Sequence, residues 1–145
     1  NAFGKTNVVA QSVIIDGDLR FISEEQKERA REKMREIVSN NLPETSAEIT
    51  FFDSYPAMPP TQKNKNLLKK FSDVSVSMGH GPVEAWDPSK RGAADVSFVA
   101  QYVACIDGLG AMGNWAHTSK ETINLKTFDV LTQRTAVLIY RLVNE

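Results

Sequence analysis

The stretch Tyr55-Pro56-Ala57-Met58-Pro59-Pro60-Thr61 limits how this chain folds more than any other. Its prolines at 56, 59 and 60 lack a backbone N–H and fix φ near −65°, so neither a helix nor a sheet ladder passes through it. The sequence is therefore expected to form two units joined by this strap, residues 1–57 and residues 58–145. A length of 145 residues is enough for a real hydrophobic core.

The first unit reads as strand, helix, strand. Residues 11–22 alternate, with Val13, Ile15, Leu19 and Phe21 on one face. A two-residue hairpin at Asp16-Gly17 would set Ile15 opposite Asp18 and Val13 opposite Arg20, so one continuous strand is the better reading. Ser23-Glu24-Glu25-Gln26 has the form of a capping box and opens a helix over about 24–41. Ala30, Met34, Ile37, Val38 and Leu42 mark its apolar face, and Pro43 stops it. Glu28, Arg29, Arg31, Glu32, Lys33, Arg35 and Glu36 read as a solvated face with pairs along the helix. Residues 46–53 alternate again, with Ala47, Ile49 and Phe51 in phase. Such an α+β open-faced sandwich, with one helix over two or three strands, is marginal by itself.

The second unit is α/β in character. An amphipathic helix over 64–78 points Leu67, Leu68, Phe71, Val74 and Met78 inward, and Gly79 ends it. A short strand is expected at 83–86 and a buried strand at 103–106. Between them, Arg91-Gly92-Ala93-Ala94-Asp95 forms a loop before the apolar segment 96–100. Residues 107–126 read as a glycine-containing loop, and a last helix over about 127–143 aligns Phe128, Leu131, Leu138 and Leu142.

Charge and composition exclude several functions. The net charge of −1 offers no basic field for nucleic acid or an anionic membrane. No apolar run approaches the roughly 18 residues of a membrane helix, and no basic segment with an apolar h-region reads as a signal peptide. Cys105 is the single cysteine, so neither an intrachain disulfide nor a cysteine metal cluster is available. Its apolar surroundings suit a buried small hydrophobe.

Read from the residues alone, His117 is a structural histidine on a glycine-rich loop, Arg20 a surface ion-pair partner and Asn7 a turn residue. No second His, Cys or carboxylate stands at zinc-finger or His-x3-His spacing from His117. Asp95 suits a cap for the segment that follows. His80 lies in a turn, and Trp86 and Trp115 read as packing residues, with Trp115 also placed to line a pocket.

Four pieces, taken in order, change that reading. They are Asn7-Val8-Val9 with Asp18-Leu19-Arg20, the proline strap, Arg91-Gly92-Ala93-Ala94-Asp95-Val96-Ser97-Phe98, and Asp107-Gly108-Leu109-Gly110 followed by Ala116-His117-Thr118 and Glu121. In this order they resemble the C-terminal part of the dizinc exopeptidase and deacylase family that includes glutamate carboxypeptidase, acetylornithine deacetylase and succinyl-diaminopimelate desuccinylase. The resemblance implies that residues 1–57 are the second part of a lid and dimerisation domain, and residues 58–145 the C-terminal part of a zinc-peptidase α/β catalytic domain. It implies His117 as the last zinc ligand, and Arg20 and Asn7 as the groups that hold a substrate carboxylate. A guanidinium fork and an amide donor suit that task. It also implies that Gly92 and Asp95 border the substrate, although Ala94 stands where the family more often has Gly or a hydroxyl residue. The family's remaining metal ligands and its general-base Glu have no counterpart here. A complete subunit of that kind holds two zinc ions, acts on a peptide or N-acyl amino acid, and pairs as a homodimer through the lid. This chain alone is expected to be inactive and to hold no stoichiometric zinc. The alternative is a non-enzymatic α+β self-association module with a structural His117.

Overall fold

The computed structural model describes Asn7 and residues 9–145; Val8, one member of the Asn7-Val8-Val9 motif, lies outside the described residues. The chain has a mixed helical and sheet architecture. Three helices, α1 (Glu24–Ser39), α2 (Gln62–Ser77) and α3 (Leu125–Asn144), are accompanied by one antiparallel pair, β1 (Gly113–Asn114) and β2 (Thr122–Ile123).

α1 starts after the expected cap, Ser23, whereas α2 and α3 start two residues before the expected 64 and 127, after caps at Thr61 and Asn124. Ser23 Oγ accepts from the Gln26 N–H at 3.2 Å, and Gln26 Oε1 accepts from the Ile22 N–H at 2.8 Å. The capping box thus closes one residue earlier than its usual partner at the cap. Thr61 and Asn124 cap α2 and α3 in the same way, through the N–H groups of Asn64 and Lys126. At the end of α2, Gly79 takes φ +81°. The Gly79 N–H then reaches the Val76 carbonyl and the His80 N–H reaches the Ser75 carbonyl, the paired bonds of a Schellman stop.

The core lies where α2 packs on α3. Phe71, Val74 and Leu138 are buried together, with Met78, Val83, Ile106, Leu109 and Val137 packed around them. Polar bonds stitch the same seam: Arg134 Nη1 donates to the buried Ser75 Oγ at 3.0 Å, Arg141 Nη2 donates to Ser77 Oγ at 2.9 Å, and Lys70 pairs with Glu145. Of the expected inward residues of α3, Leu131 and Leu138 are buried, whereas Phe128 and Leu142 remain substantially exposed because α2 covers only part of that face. Cys105 is buried as expected, but not in a strand. Its N–H is taken by Asn64 Oδ1 at 2.9 Å, a side chain, in place of a ladder partner.

The expected strands at 11–22, 46–53, 83–86 and 103–106 do not form ladders. Alternation fits a pleated segment, but a strand exists only where a neighbouring backbone supplies N–H and C=O partners. Among the described residues no backbone group bonds these segments into a ladder. Val13 and Ile15, expected to face a core, are 71% and 86% exposed. The apolar segment 96–100 also differs: Asp95–Phe98 is a short 3-10 helix. Asp95 is inside that turn and Ala94 occupies the cap position, so Asp95 is not the cap.

One member of the charged face of α1 differs from the expected solvated pattern. Arg31 is not solvated; it is 8% exposed, lies 5.1 Å from the Phe51 ring centroid, and donates from Nη2 to Asp53 Oδ1 at 2.7 Å. Lys27 pairs with Glu24 and Asp53 and sits over the Phe21 ring. Cationic stems thus cover the aromatic rings of the flanking extended segments. Ile37 and Leu42, expected on the apolar face, are exposed, and Ala30, Met34 and Val38 are half-buried. Trp86 and Trp115 are likewise exposed, so neither packs in the core.

Two measurements test these contacts. Leu138→Ala is expected to destabilise the chain by about 2–5 kcal/mol, while Val76→Ala, on the exposed side of α2, changes it by less than about 0.5 kcal/mol; denaturant melts distinguish them. The second concerns pH. The Arg31 guanidinium, then the Lys27 ammonium, hold the Asp53 carboxyl below its ordinary range. A depressed carboxyl contributes stability above its unfolded pKa of about 4 and loses that contribution as pH falls through the lower folded value. The thermal midpoint of Asp53→Asn is therefore expected to lie below wild type at neutral pH and to converge with it on acidification below about pH 4.

Candidate functional site

The loop that carries His117 is a self-contained hairpin. β1 and β2 pair Gly113 with Ile123 and Asn114 with Thr122, and Asn124 N–H bonds the Met112 carbonyl at 2.7 Å just outside them. Gly113 is required at its place: a Cβ there would stand 2.0 Å from the Thr122 carbonyl oxygen. Inside the loop, Thr118 is the hub. Its Oγ1 donates to the Trp115 carbonyl at 2.7 Å and accepts from the Lys120 N–H at 3.2 Å, and its carbonyl accepts from the Glu121 N–H at 3.1 Å. The His117 N–H bonds Glu121 Oε2 at 3.3 Å.

This bonding holds two non-glycine residues in the left-handed region, Trp115 at φ +61° and His117 at φ +64°. Such conformations are uncommon for bulky residues and carry strain. His117 is exposed, and its imidazole takes no hydrogen bond from any described residue. The sequence pattern shows a glycine-rich loop around His117 but neither the β1–β2 pair nor the strain, because neither strand exceeds two residues and positive φ at Trp or His leaves no compositional mark.

The remaining candidates are spread over the chain. Asn7 is exposed in a turn. Arg20 is exposed and its Nε donates to Asp18 Oδ2 at 2.8 Å, the surface ion pair that its residue type suggests. Gly92 is exposed, with open space where a Cβ would be, so no close backbone approach in this structure demands glycine there. Asp95 Oδ1 accepts from Tyr55 OH at 3.3 Å. No hydrogen bond or ion pair among the described residues joins Arg20, Asp95 and His117 to one another. His80 is exposed in the turn after Gly79.

Among the described residues, no three His, Cys, Asp or Glu side chains are grouped so that they could hold a metal ion. His117 has the chemistry of one zinc ligand, but zinc takes about four. The residues present do not amount to a zinc site on their own. A groove of about 440 Å³ runs beside α3, lined by Leu109, Phe128, Leu131, Thr132, Thr135 and Ile139. It contains no titratable side chain and lacks the convergent polar groups of a catalytic pocket. Among the described residues, no helix is long and apolar enough to cross a membrane.

No family model, no curated protein and no solved structure matches this chain.

Gly113→Ala is expected to break the β1–β2 pair and free the loop. In amide-exchange measurements the protection of Asn124 and His117 falls by about tenfold, as expected for losing a bond worth 0.5–1.5 kcal/mol, with Val74 and Leu138 unchanged.

Proposed function

We propose that this chain is the C-terminal part of a zinc-dependent exopeptidase or deacylase that cleaves a peptide or N-acyl amino acid bearing a free carboxylate. One observation carries the reading: His117 is exposed at a hairpin tip, in a strained left-handed conformation held by Thr118 and Glu121. Strain of this kind persists where surrounding bonds over-determine it, and it clusters at functional sites. The order of the Arg20, Arg91–Phe98 and His117 motifs supports the same assignment. In this reading His117 contributes one ligand to a zinc site completed by residues outside this chain, and Arg20 and Asn7 hold the carboxylate. Gly92 and Asp95 border the substrate, and the first unit pairs as a homodimer. Zinc, two ions per complete subunit, supplies Lewis-acid chemistry when bound.

A second reading is a self-association module without activity. It is favoured by Val13, Ile14 and Ile15, which stand exposed in a segment that joins no sheet among the described residues.

In a longer protein that includes the upstream residues, His117→Ala is expected to lower zinc affinity by more than about 100-fold, beyond the loss typical of a residue supporting a ligand. Arg20→Ala raises KM by about 10- to 100-fold, the worth of a charge-assisted bond. The chain alone retains no stoichiometric zinc after dialysis. Wild-type kinetics in both variants, or two tightly held zinc ions per chain, overturns the enzyme reading. A clean monomer by light scattering at high concentration overturns the self-association module.

A further inference from the structure

No other helix or strand packs against α1 among the described residues. Its placement therefore depends on the proline strap, and the strap is bonded on three sides. On the α1 side, Glu24 Oε1 accepts from the Ala57 N–H at 2.8 Å. On the side of the 91–98 segment, Arg91 Nη2 donates to the Met58 carbonyl at 2.7 Å, Tyr55 OH donates to Asp95 Oδ1, and the Tyr55 ring meets Phe98 with centroids 5.3 Å apart. At its far end, Asn64 Nδ2 donates to the Pro59 carbonyl at 3.3 Å, which ties the strap to α2. Pro56, Ala57 and Met58 are half-buried between these partners.

We propose that residues 55–60 form a latched strap, with Arg91 and Tyr55 as the latch that fixes α1 relative to the α2–α3 body. Three prolines make the strap stiff, so a bond at Met58 constrains Ala57 and, through Glu24, the first turn of α1. The guanidinium contact is charge-assisted and worth more than a neutral bond, and the Tyr55–Phe98 contact adds an aromatic pair in tilted geometry. Releasing the latch lets α1, together with the Arg20 segment that precedes it, swing away from the body without unfolding the core. The latch operates whether or not His117 binds a metal.

The test places spin labels at Arg29→Cys and Gln133→Cys, exposed positions on α1 and α3, with buried Cys105 left in place. Pulsed dipolar spectroscopy then reads the distance between the two labels. The latched chain gives one narrow distribution. Arg91→Ala and Tyr55→Ala broaden it, Tyr55→Phe broadens it less because the ring contact survives, and Arg91→Lys restores part of the narrow population. Amide exchange at Ala57 rises by about tenfold or more in Arg91→Ala, from the loss of a bond of 1.5–3 kcal/mol, while Phe71 and Val74 stay protected. An unchanged distribution in all three non-conservative and ring variants overturns the proposal. So does a parallel loss of protection at Phe71 and Val74, which would make Arg91 a general stabiliser of the fold.

Discussion

The seam between α2 and α3 is the constraint on which the rest of this structure depends. Val74 is fully buried and Phe71 and Leu138 nearly so, and these three side chains form the buried centre of the hydrophobic core. Several segments are held to this seam. Val83 bonds Ser72 Oγ, Cys105 bonds Asn64, and the groups around Ile106 and Leu109 pack on its edge. The Arg134–Ser75 bond crosses the same interface, with the guanidinium also 5.5 Å from the Phe71 ring centroid. Its Nε is buried without a partner. A lone buried donor has a cost.

Away from this seam the chain is organised differently. α1 has no helical partner and is held by charged and aromatic side chains of the extended segments on either side, through Arg31, Asp53, Phe51 and Phe21. In these pairs Arg31 and Lys27 are mostly covered while their partner Asp53 is exposed, and a half-exposed ion pair contributes modestly. The strap is also bonded to α1, through Glu24 and the Ala57 N–H. It also connects the two regions that carry candidate binding residues: Tyr55 reaches Asp95, and Glu24 reaches the strap from a helix that begins four residues after Arg20.

The His117 hairpin illustrates how a short loop acquires a defined shape without a core. Gly113 permits the close approach of Thr122, and Thr118 gathers the carbonyl and N–H groups of the turn. The result is a presented imidazole on a strained backbone. A family resemblance had singled out this histidine. The geometry adds a physical reason why the site is unusual, and among the described residues no hydrogen bond or ion pair joins Arg20 to His117.

The sequence by itself determined the three helices, because their signals are local. Ser23, Thr61 and Asn124 bond N–H groups two or three residues away, Gly79 supplies a left-handed stop, and the spacing of Phe71 and Val74, or of Leu131 and Leu138, follows from the helical repeat. The burial of Cys105 was also legible from its apolar neighbours. Only the tertiary structure decided the fate of the alternating segments. Val13, Ile15, Ile49 and Phe51 have the right period for strands, but a ladder is made between segments, and alternation does not say whether a partner stands beside them. For the same reason the roles of Arg31, Tyr55 and Arg91 were hidden. Each acts on a backbone or side-chain group more than 20 residues away in the chain, at Asp53, Asp95 and Met58. Contacts at that separation are set by how the helices and the proline strap direct the chain, which no local pattern records.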